Sequence, residues 1–200
     1  LDALANIDFQ TREVKPEHRE LTMVRIGTSG ALQPELIVGT PVIAEKAIGF
    51  DGVLNYYAGR NEVADLEFEK AFCDHTGWNP LWAKPYVVNA NEELVNQIGG
   101  TDMVRGNTIS AVGFYGPQGR ELRLPLANPD LNSRIEEFRF NGRKVTNYEM
   151  ESAPLQGLAR LMGHRAMTVC SIIANRMRHD VTPNYKTAIR DLISTVLERI

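Results

Sequence analysis

The chain has 200 residues with a formal net charge of −3 at pH 7, and 43% of the residues are hydrophobic and 24% charged. This composition is typical of a globular protein and argues against intrinsic disorder. The negative charge argues against a nucleic-acid partner, which needs a basic surface, and no apolar run reaches the length that crosses a membrane.

The first predicted element is Leu1 to Ala5, whose pattern is typical of the C-terminal end of a helix. We therefore expect the sequence to start inside a longer protein. The apolar run over 21–26 predicts a buried strand that leads into a glycine loop at 27–30. Two further β segments are predicted, over 36–39 and over 41–48.

The rest of the chain alternates between helical and β-type patterns. The predicted elements are a helix over about 62–76 closed by Gly77, a strand at 86–88, a helix over 91–98, a strand over 107–114, a helix capped by Ser152 and ended by Gly163, a strand over 168–173 and a terminal amphipathic helix over 184–199. This alternation predicts an α/β fold with a sheet between helices. Open sheets of this kind bind ligands beside glycine-rich loops that follow strands.

The segment 25–30, Arg-Ile-Gly-Thr-Ser-Gly, has the groups that a phosphate ion needs. Its two glycines permit close backbone approach, its two hydroxyl residues supply donors, and Arg25 provides a planar fork that engages two oxygens. The alternative is a tight turn between strands with a surface arginine. The segment matches neither a P-loop nor a dinucleotide fingerprint.

The segment 114–120, Phe-Tyr-Gly-Pro-Gln-Gly-Arg, suits a flat, hydrogen-bonding base. Phe114 can stack on the base, and the Gln118 amide offers one acceptor and two donors. Arg120 can pair with ring carbonyl oxygens. The alternative is a loop with a core-anchored aromatic residue and a solvated arginine.

The segment Glu149-Met150-Glu151 suits a sugar diol, because a carboxylate can accept hydrogen bonds from two adjacent hydroxyls. Met150 can cover the apolar face of the sugar. The alternative is that both glutamates favour the positive N-terminus of the helix that follows.

The four histidines, His18, His75, His164 and His179, show no spacing typical of metal ligands, so we expect no catalytic metal. His75 and His164 are interpreted as surface or helix-capping residues. The two cysteines lie far apart in the sequence without a CxxC pair, which favours a reduced, cytoplasmic setting.

Taken together, these segments resemble the nucleoside phosphorylase superfamily of trimeric and hexameric type, and within it the uridine phosphorylase family. The resemblance rests on the phosphate segment 25–34, the uracil segment 114–120, the ribose segment 147–153 and Ile-Ile-Ala-Asn-Arg at 172–176, which resembles the strand and loop that close over the base. It implies that residues 1–200 form one nucleoside phosphorylase domain, a three-layer α/β/α sandwich with a central mixed sheet.

The resemblance also implies a role for each candidate residue. Arg25, Gly27, Thr28 and Ser29 would bind phosphate; Gly30, Phe114, Gln118, Arg120, Ile173 and Arg176 would bind the base; Glu149, Met150 and Glu151 would bind ribose; and Arg25, Gln118, Arg120 and Glu151 would carry catalysis. The implied reaction is reversible phosphorolysis of uridine to uracil and ribose 1-phosphate, with phosphate as co-substrate and no cofactor. A homo-oligomer, either a dimer or a hexamer built from dimers, is expected.

Two features bear on the choice within the superfamily. Purine-specific relatives carry an aspartate in the loop after the last core strand, where this chain has Ala174-Asn175-Arg176, so we expect a pyrimidine substrate. The family's early Gly-Asp-Pro turn and its further phosphate-binding arginines, one of them from a neighbouring subunit, have no match here. We therefore expect the 200 residues to hold only part of a phosphate site. A purine phosphorylase, a hydrolytic nucleosidase and a non-catalytic nucleoside-binding protein remain the alternatives.

Overall fold

The computed structural model describes residues 1–178, 180–181 and 185–200, so His179 and the predicted helix start at 184 lie outside the described residues. The strands are β1 (Thr22–Ala31), β2 (Pro41–Gly49), β3 (Tyr86–Asn89), β4 (Val104–Ser110), β5 (Arg139–Phe140), β6 (Arg143–Glu149), β7 (Arg165–Asn175) and β8 (Asp180–Val181). The helices are α1 (Asp2–Asn6), α2 (Arg60–Val63), α3 (Leu66–Thr76), α4 (Glu92–Ile98), α5 (Leu131–Glu137), α6 (Ser152–Leu161) and α7 (Lys186–Arg199). Among the described residues, no helix is both long and apolar enough to cross a membrane.

The described strands form one mixed sheet in the order β3-β2-β4-β6-β1-β7-β8, with β5 attached to β6. Strand β2 also pairs with β7, so β2, β4, β6, β1 and β7 close into a ring. The longest pairing is parallel and runs from Thr22 opposite Arg165 to Ala31 opposite Asn175. This ring brings the ends of β1, β4, β6 and β7 to one edge of the fold.

Helices pack on both faces of the sheet, as the alternation along β3 shows. Val87 packs in an apolar cluster with Phe68 and Phe72 of α3, whereas Val88 packs in another with Ala153 of α6. Successive residues of a strand point to opposite faces, so α3 and α6 lie on different sides. The predicted three-layer α/β/α sandwich with a mixed sheet is confirmed.

Several predicted elements are confirmed with small changes of length: β2, β3, α4 and β7 all lie where the sequence placed them. Asn91 caps α4 by accepting a hydrogen bond from the Leu94 amide at 3.0 Å. Gly77 ends α3 in the left-handed region with φ 59°, a conformation that favours glycine. The predicted helix over 62–76 is divided into α2 and α3 at Asp65, which caps the second helix.

Other predictions are wrong. The residues 27–30 form no loop but continue β1, where each one pairs with β7, and neither glycine has a positive φ. The segment 36–39 is not a strand, and the predicted strand over 107–114 begins at Val104 and ends at Ser110. Phe114 therefore lies in the loop that follows β4, not at the strand end.

Candidate active site

The predicted phosphate and ribose residues meet at the edge where β1 and β6 lie next to the start of α6. Strand β6 ends at Glu149, and Met150 and Glu151 follow directly before α6 begins. Arg25 projects from β1, opposite the start of the helix. The second half of β6 and the first two residues of α6 are buried, so the fold fixes the backbone on both sides of Met150 and Glu151.

Arg25 is bonded to both candidate glutamates. One guanidinium nitrogen lies 2.9 Å from the Glu149 carboxylate, and the other pairs with Glu151. The first also lies 3.4 Å from the sulfur of Cys170. Burial by itself would lower the pKa of Arg25, but Cys170 and the two glutamates outweigh that effect and raise it. Arg25 is therefore a firmly charged group whose fork is occupied by protein carboxylates.

Gly27 has a structural reason to be glycine that the sequence pattern does not reveal. A Cβ atom at this position would lie 2.9 Å from both terminal nitrogens of Arg25. The guanidinium thus crosses over Gly27 on its way to the glutamates. The predicted phosphate contact of Gly27 stays a prediction, since the geometry accounts for the glycine through Arg25.

Glu149 is a buried acceptor whose oxygens are already engaged. It accepts hydrogen bonds from the Ser110 hydroxyl at 2.6 Å and from the amides of Glu151 and Ser152, each at 3.0 Å. These amides belong to the first turn of α6, which has no partner for them inside the helix. The predicted capping by Ser152 is wrong, since Ser152 is itself the first helical residue. Glu149 is better placed to start α6 and hold Arg25 than to bind a ribose hydroxyl.

Glu151 and Met150 differ from Glu149 in being accessible. The Glu151 side chain is 56% exposed, against 1% for Glu149, and Met150 is partly exposed beside it. Apart from its pairing with Arg25, the carboxylate of Glu151 makes no other side-chain hydrogen bond among the described residues. Glu151 is thus the glutamate that can turn towards a diol.

The predicted base residues form a second cluster around Gln118. Arg120 donates to the Gln118 side-chain oxygen at 2.7 Å and to the Phe114 carbonyl at 2.5 Å. Arg176, which follows β7, donates to the same side-chain oxygen at 2.8 Å and also bonds the Gln118 carbonyl. The structure therefore joins three residues that the sequence placed in two separate segments.

Arg120 and Arg176 share one amide oxygen in this cluster, and no carboxylate of the described residues is bonded to either. Burial first, and then the charge of Arg120, lower the pKa of Arg176 to about 10, which leaves it cationic at neutral pH. Burial also lowers the pKa of Arg120. Two positive charges held close together away from water stabilise a bound group that carries negative charge.

Aromatic rings support both guanidinium groups. The central carbon of Arg120 lies 3.8 Å above the centre of the Phe114 ring, and that of Arg176 lies 4.8 Å above the Tyr148 ring. Because Arg120 covers one face of Phe114, a base can stack on Phe114 only at the other face or after Arg120 moves. Tyr148 was not singled out from the sequence, although it lies inside the ribose segment.

The remaining predicted residues lie along β1 and β7 between the two clusters. The Ser29 hydroxyl is buried without a hydrogen-bond partner among the described residues, and Thr28 is half-buried. Ile173 is also half-buried, and Gly30 lies opposite Ala174 in the parallel pairing. These residues line the strip that joins the Arg25 and Gln118 clusters.

Ser110 and Asn132 were not predicted from the sequence, and each forms a hydrogen bond to a predicted site residue. Ser110 bonds Glu149, and Asn132 donates to the Gln118 carbonyl at 3.0 Å. The position of Ser110 at the end of a buried strand was the available signal.

His164, interpreted as a surface or capping residue, is instead buried and lies 3.0 Å from Asp2, so that interpretation is wrong.

An apolar cavity of about 880 Å³ lies behind the loop that carries Gln118. Trp78, Trp82 and Leu124 line it together with Arg120, but Arg25 and Glu151 do not. Among the described residues, no group of three or more His, Cys, Asp or Glu side chains could hold a metal ion. Of the predicted site residues, Arg120 alone lines this cavity.

Comparison with known proteins gives a consistent result. The family profile described as "Phosphorylase superfamily" matches residues 9–198. The chain is 33% identical to uridine phosphorylase of Thermococcus kodakarensis, over 80% of this chain and 50% of that protein. It is 31% identical to uridine phosphorylase of Escherichia coli, over 83% of this chain and 58% of that protein.

Among solved structures, a Trypanosoma brucei nucleoside phosphorylase described as showing uridine phosphorylase activity superposes with a TM-score of 0.82 at 22% identity. The superposition covers 99% of this chain and 73% of the trypanosome chain. This likeness shows a shared fold. The chain spans 50–58% of the length of these two curated relatives.

Proposed function

The chain belongs to the phosphorylase superfamily, and on that premise we propose that the protein catalyses reversible phosphorolysis of uridine to uracil and ribose 1-phosphate. The proposal takes uridine and inorganic phosphate as substrates and needs no metal or organic cofactor. The names of the curated relatives support it. A cytoplasmic homo-oligomer is part of the same proposal.

The observation that carries the proposal is the convergence of two guanidinium groups on the Gln118 amide. When the glycosidic bond of uridine stretches, negative charge develops on the departing uracil and spreads to its carbonyl oxygens. Fixed donors aimed at that charge stabilise the transition state more than the ground state. Arg120 and Arg176 supply such donors, and the Gln118 amide can meet the remaining edge of the ring.

The Arg25 cluster can bind the other two groups by exchanging one contact. A phosphate that takes the outer nitrogen of Arg25 would replace Glu151, since both compete for the same fork. The released Glu151 carboxylate could then accept hydrogen bonds from the ribose hydroxyls, with Met150 against the sugar. Thr28 and the unpartnered Ser29 hydroxyl lie on the strand between, within the strip where phosphate and sugar would meet.

The charge balance of this cluster also supports an oligomer. Arg25 brings one positive charge and the two glutamates bring two negative charges, so a doubly charged phosphate needs further cations to bind tightly. The family resemblance implies that a neighbouring subunit donates one of them. A subunit interface beside Arg25 is therefore part of the proposal.

A pyrimidine leaving group fits Asn175 better than a purine does. The Asn175 amide donates to the carbonyls of Gln33 and Leu36 at 2.9 and 2.8 Å, so it anchors the chain after β7. It offers no proton to an imidazole nitrogen of a departing purine. The matching acid of purine-specific relatives has no counterpart at this position.

The test is an assay of uracil release from uridine by the full-length protein, with and without added phosphate, run in parallel with inosine. We expect release that depends on phosphate, formation of ribose 1-phosphate, and little reaction of inosine. Release without phosphate would indicate a nucleosidase, and preference for inosine would indicate a purine phosphorylase. Saturable uridine binding without any release would indicate a binding protein.

A further inference from the structure

A polar cavity of about 530 Å³ lies at the opposite end of the strand ring from the two clusters. Its walls include Arg105 and Arg143, at the starts of β4 and β6, and Arg160, in the last turn of α6. Arg143 lies six positions before Glu149 along β6, which corresponds to about 20 Å at ~3.3 Å per residue. The cavity therefore shares no residue with the proposed nucleoside site.

Within the described part of the chain, two of the four Lys and Arg side chains that line this cavity have no ion-pair partner. Lys46 is bonded to Asp65 and Asn89, each at 2.7 Å, and Arg143 is paired with Glu45. Arg105 and Arg160 also line the cavity, and neither forms an ion pair among the described residues. The lining also holds two carboxylates, Glu92 and the Glu45 that is paired with Arg143, so four cationic side chains outnumber two anionic ones in a chain whose net charge is −3.

A buried acceptor also faces this cavity. Gln156 is 2% exposed, and its amide nitrogen donates to the Ala44 carbonyl at 2.9 Å. Its side-chain oxygen is buried and has no hydrogen-bond partner in the described part of the chain. Buried polar atoms without a partner are rare in folded proteins. The Gln156 side-chain oxygen is an acceptor, so its missing partner is an O–H or N–H donor and not an anion.

We propose that this cavity is a second ligand site that binds a small sugar phosphate. Its phosphate would engage Arg105 and Arg160, because guanidinium forks match phosphate oxygens. One of its hydroxyls would donate to the free oxygen of Gln156, and the others would meet the amide and carboxylate side chains on the walls. The cavity volume falls within the range of about 300–1,000 Å³ that is usual for small-molecule sites.

The test is a two-dimensional NMR titration of the full-length protein with ribose 5-phosphate, with inorganic phosphate and with ribose. We expect ribose 5-phosphate to shift the side-chain amide signal of Gln156 and the backbone signals near Ala166, with at least tenfold higher affinity than phosphate or ribose alone. The variant R105A/R160A should weaken this binding at least tenfold. Arg190→Ala, which removes an exposed arginine of α7 outside the cavity, should leave it unchanged.

Gln156→Met tests the acceptor, and it should abolish the preference for ribose 5-phosphate over inorganic phosphate. Arg105 and Arg160 are exposed, so R105A/R160A is expected to fold. This variant therefore tests the proposal even if Gln156→Met fails to fold. The proposal is overturned if no signal near Gln156 shifts, or if R105A/R160A and Arg190→Ala bind equally well. Shifts confined to residues 25–30 would also overturn it and would instead report on the proposed nucleoside site.

Discussion

The two polar clusters of this protein are opposites in charge. At Arg25 one guanidinium meets two carboxylates, whereas at Gln118 two guanidinium groups meet one neutral amide. The first cluster is held together by its own charges and supports the start of α6. The second has no carboxylate bonded to its guanidinium groups among the described residues, and we propose that a ligand supplies the missing negative charge. The Arg25 cluster thus stabilises the fold in addition to its proposed phosphate and ribose contacts, whereas the Gln118 cluster is proposed to serve binding of the base.

The largest effect on the Arg25 cluster is expected from Glu149→Ala. This change leaves Arg25, the Ser110 hydroxyl and two helix amides without their acceptor, and we expect a loss of about 3–5 kcal/mol in the free energy of unfolding. Urea denaturation measures the loss. Glu151→Ala is the matched control, because an exposed partner contributes about 1 kcal/mol or less. Similar losses for both variants would contradict the structural role of Glu149.

The corresponding test of the Gln118 cluster is Arg120→Ala. Removal of one donor that stabilises charge on the departing base should lower turnover of uridine about 10²-fold, with little change in stability. Steady-state kinetics measure the effect. Arg123→Ala, three residues along the same loop, is the control and should turn over uridine normally. Normal turnover by the Arg120 variant would remove the cluster from catalysis.

Of the two glutamates, only Glu151 is proposed to bind the ribose hydroxyls, and Glu151→Gln tests this role. The amide accepts hydrogen bonds from a diol less strongly than the carboxylate, so kcat/KM for uridine should fall about 10-fold more than kcat/KM for 2′-deoxyuridine. The comparison of the two substrates is its own control. Equal losses would place Glu151 outside the ribose site.

The smallest effect is expected from Gly27→Ala. The added methyl group would push against the terminal atoms of Arg25, whose flexible side chain can shift. We therefore expect a loss of about 1 kcal/mol in the free energy of unfolding and a higher KM for phosphate. Gly116→Ala, where a Cβ meets no atom within 4 Å, should not change the free energy of unfolding. If Gly27→Ala changed neither the free energy of unfolding nor the KM for phosphate, the Arg25 side chain would not be confined by Gly27.

Hydrophobic periodicity predicted a sheet between helices, and local motifs singled out Arg25, Gln118, Arg120 and Glu151, whereas Arg176 was named only through the family resemblance. Prediction from the sequence failed where distant residues decide the outcome. Gly27 and Gly30 suggested a loop, but pairing with β7 extends the strand through them. Ser152 has the residue type of a helix cap, but Glu149 takes over that role by accepting the Ser152 amide.

The pairing of Arg120 with Arg176 could not be read from the sequence either, since 56 positions separate them and only the fold brings both to Gln118. The same is true of His164, whose partner Asp2 lies at the other end of the chain. Ion pairs and hydrogen bonds of this kind have no periodicity. They depend on strand order, which the sequence pattern leaves open.

The most direct test of the charge-deficient cluster is a crystal structure of the protein with bound uracil. We expect uracil carbonyl oxygens within about 2.7–3.2 Å of the guanidinium nitrogens of Arg120 and Arg176, with the Gln118 amide on the ring edge. A structure in which these three side chains face solvent while uracil binds elsewhere would contradict the account.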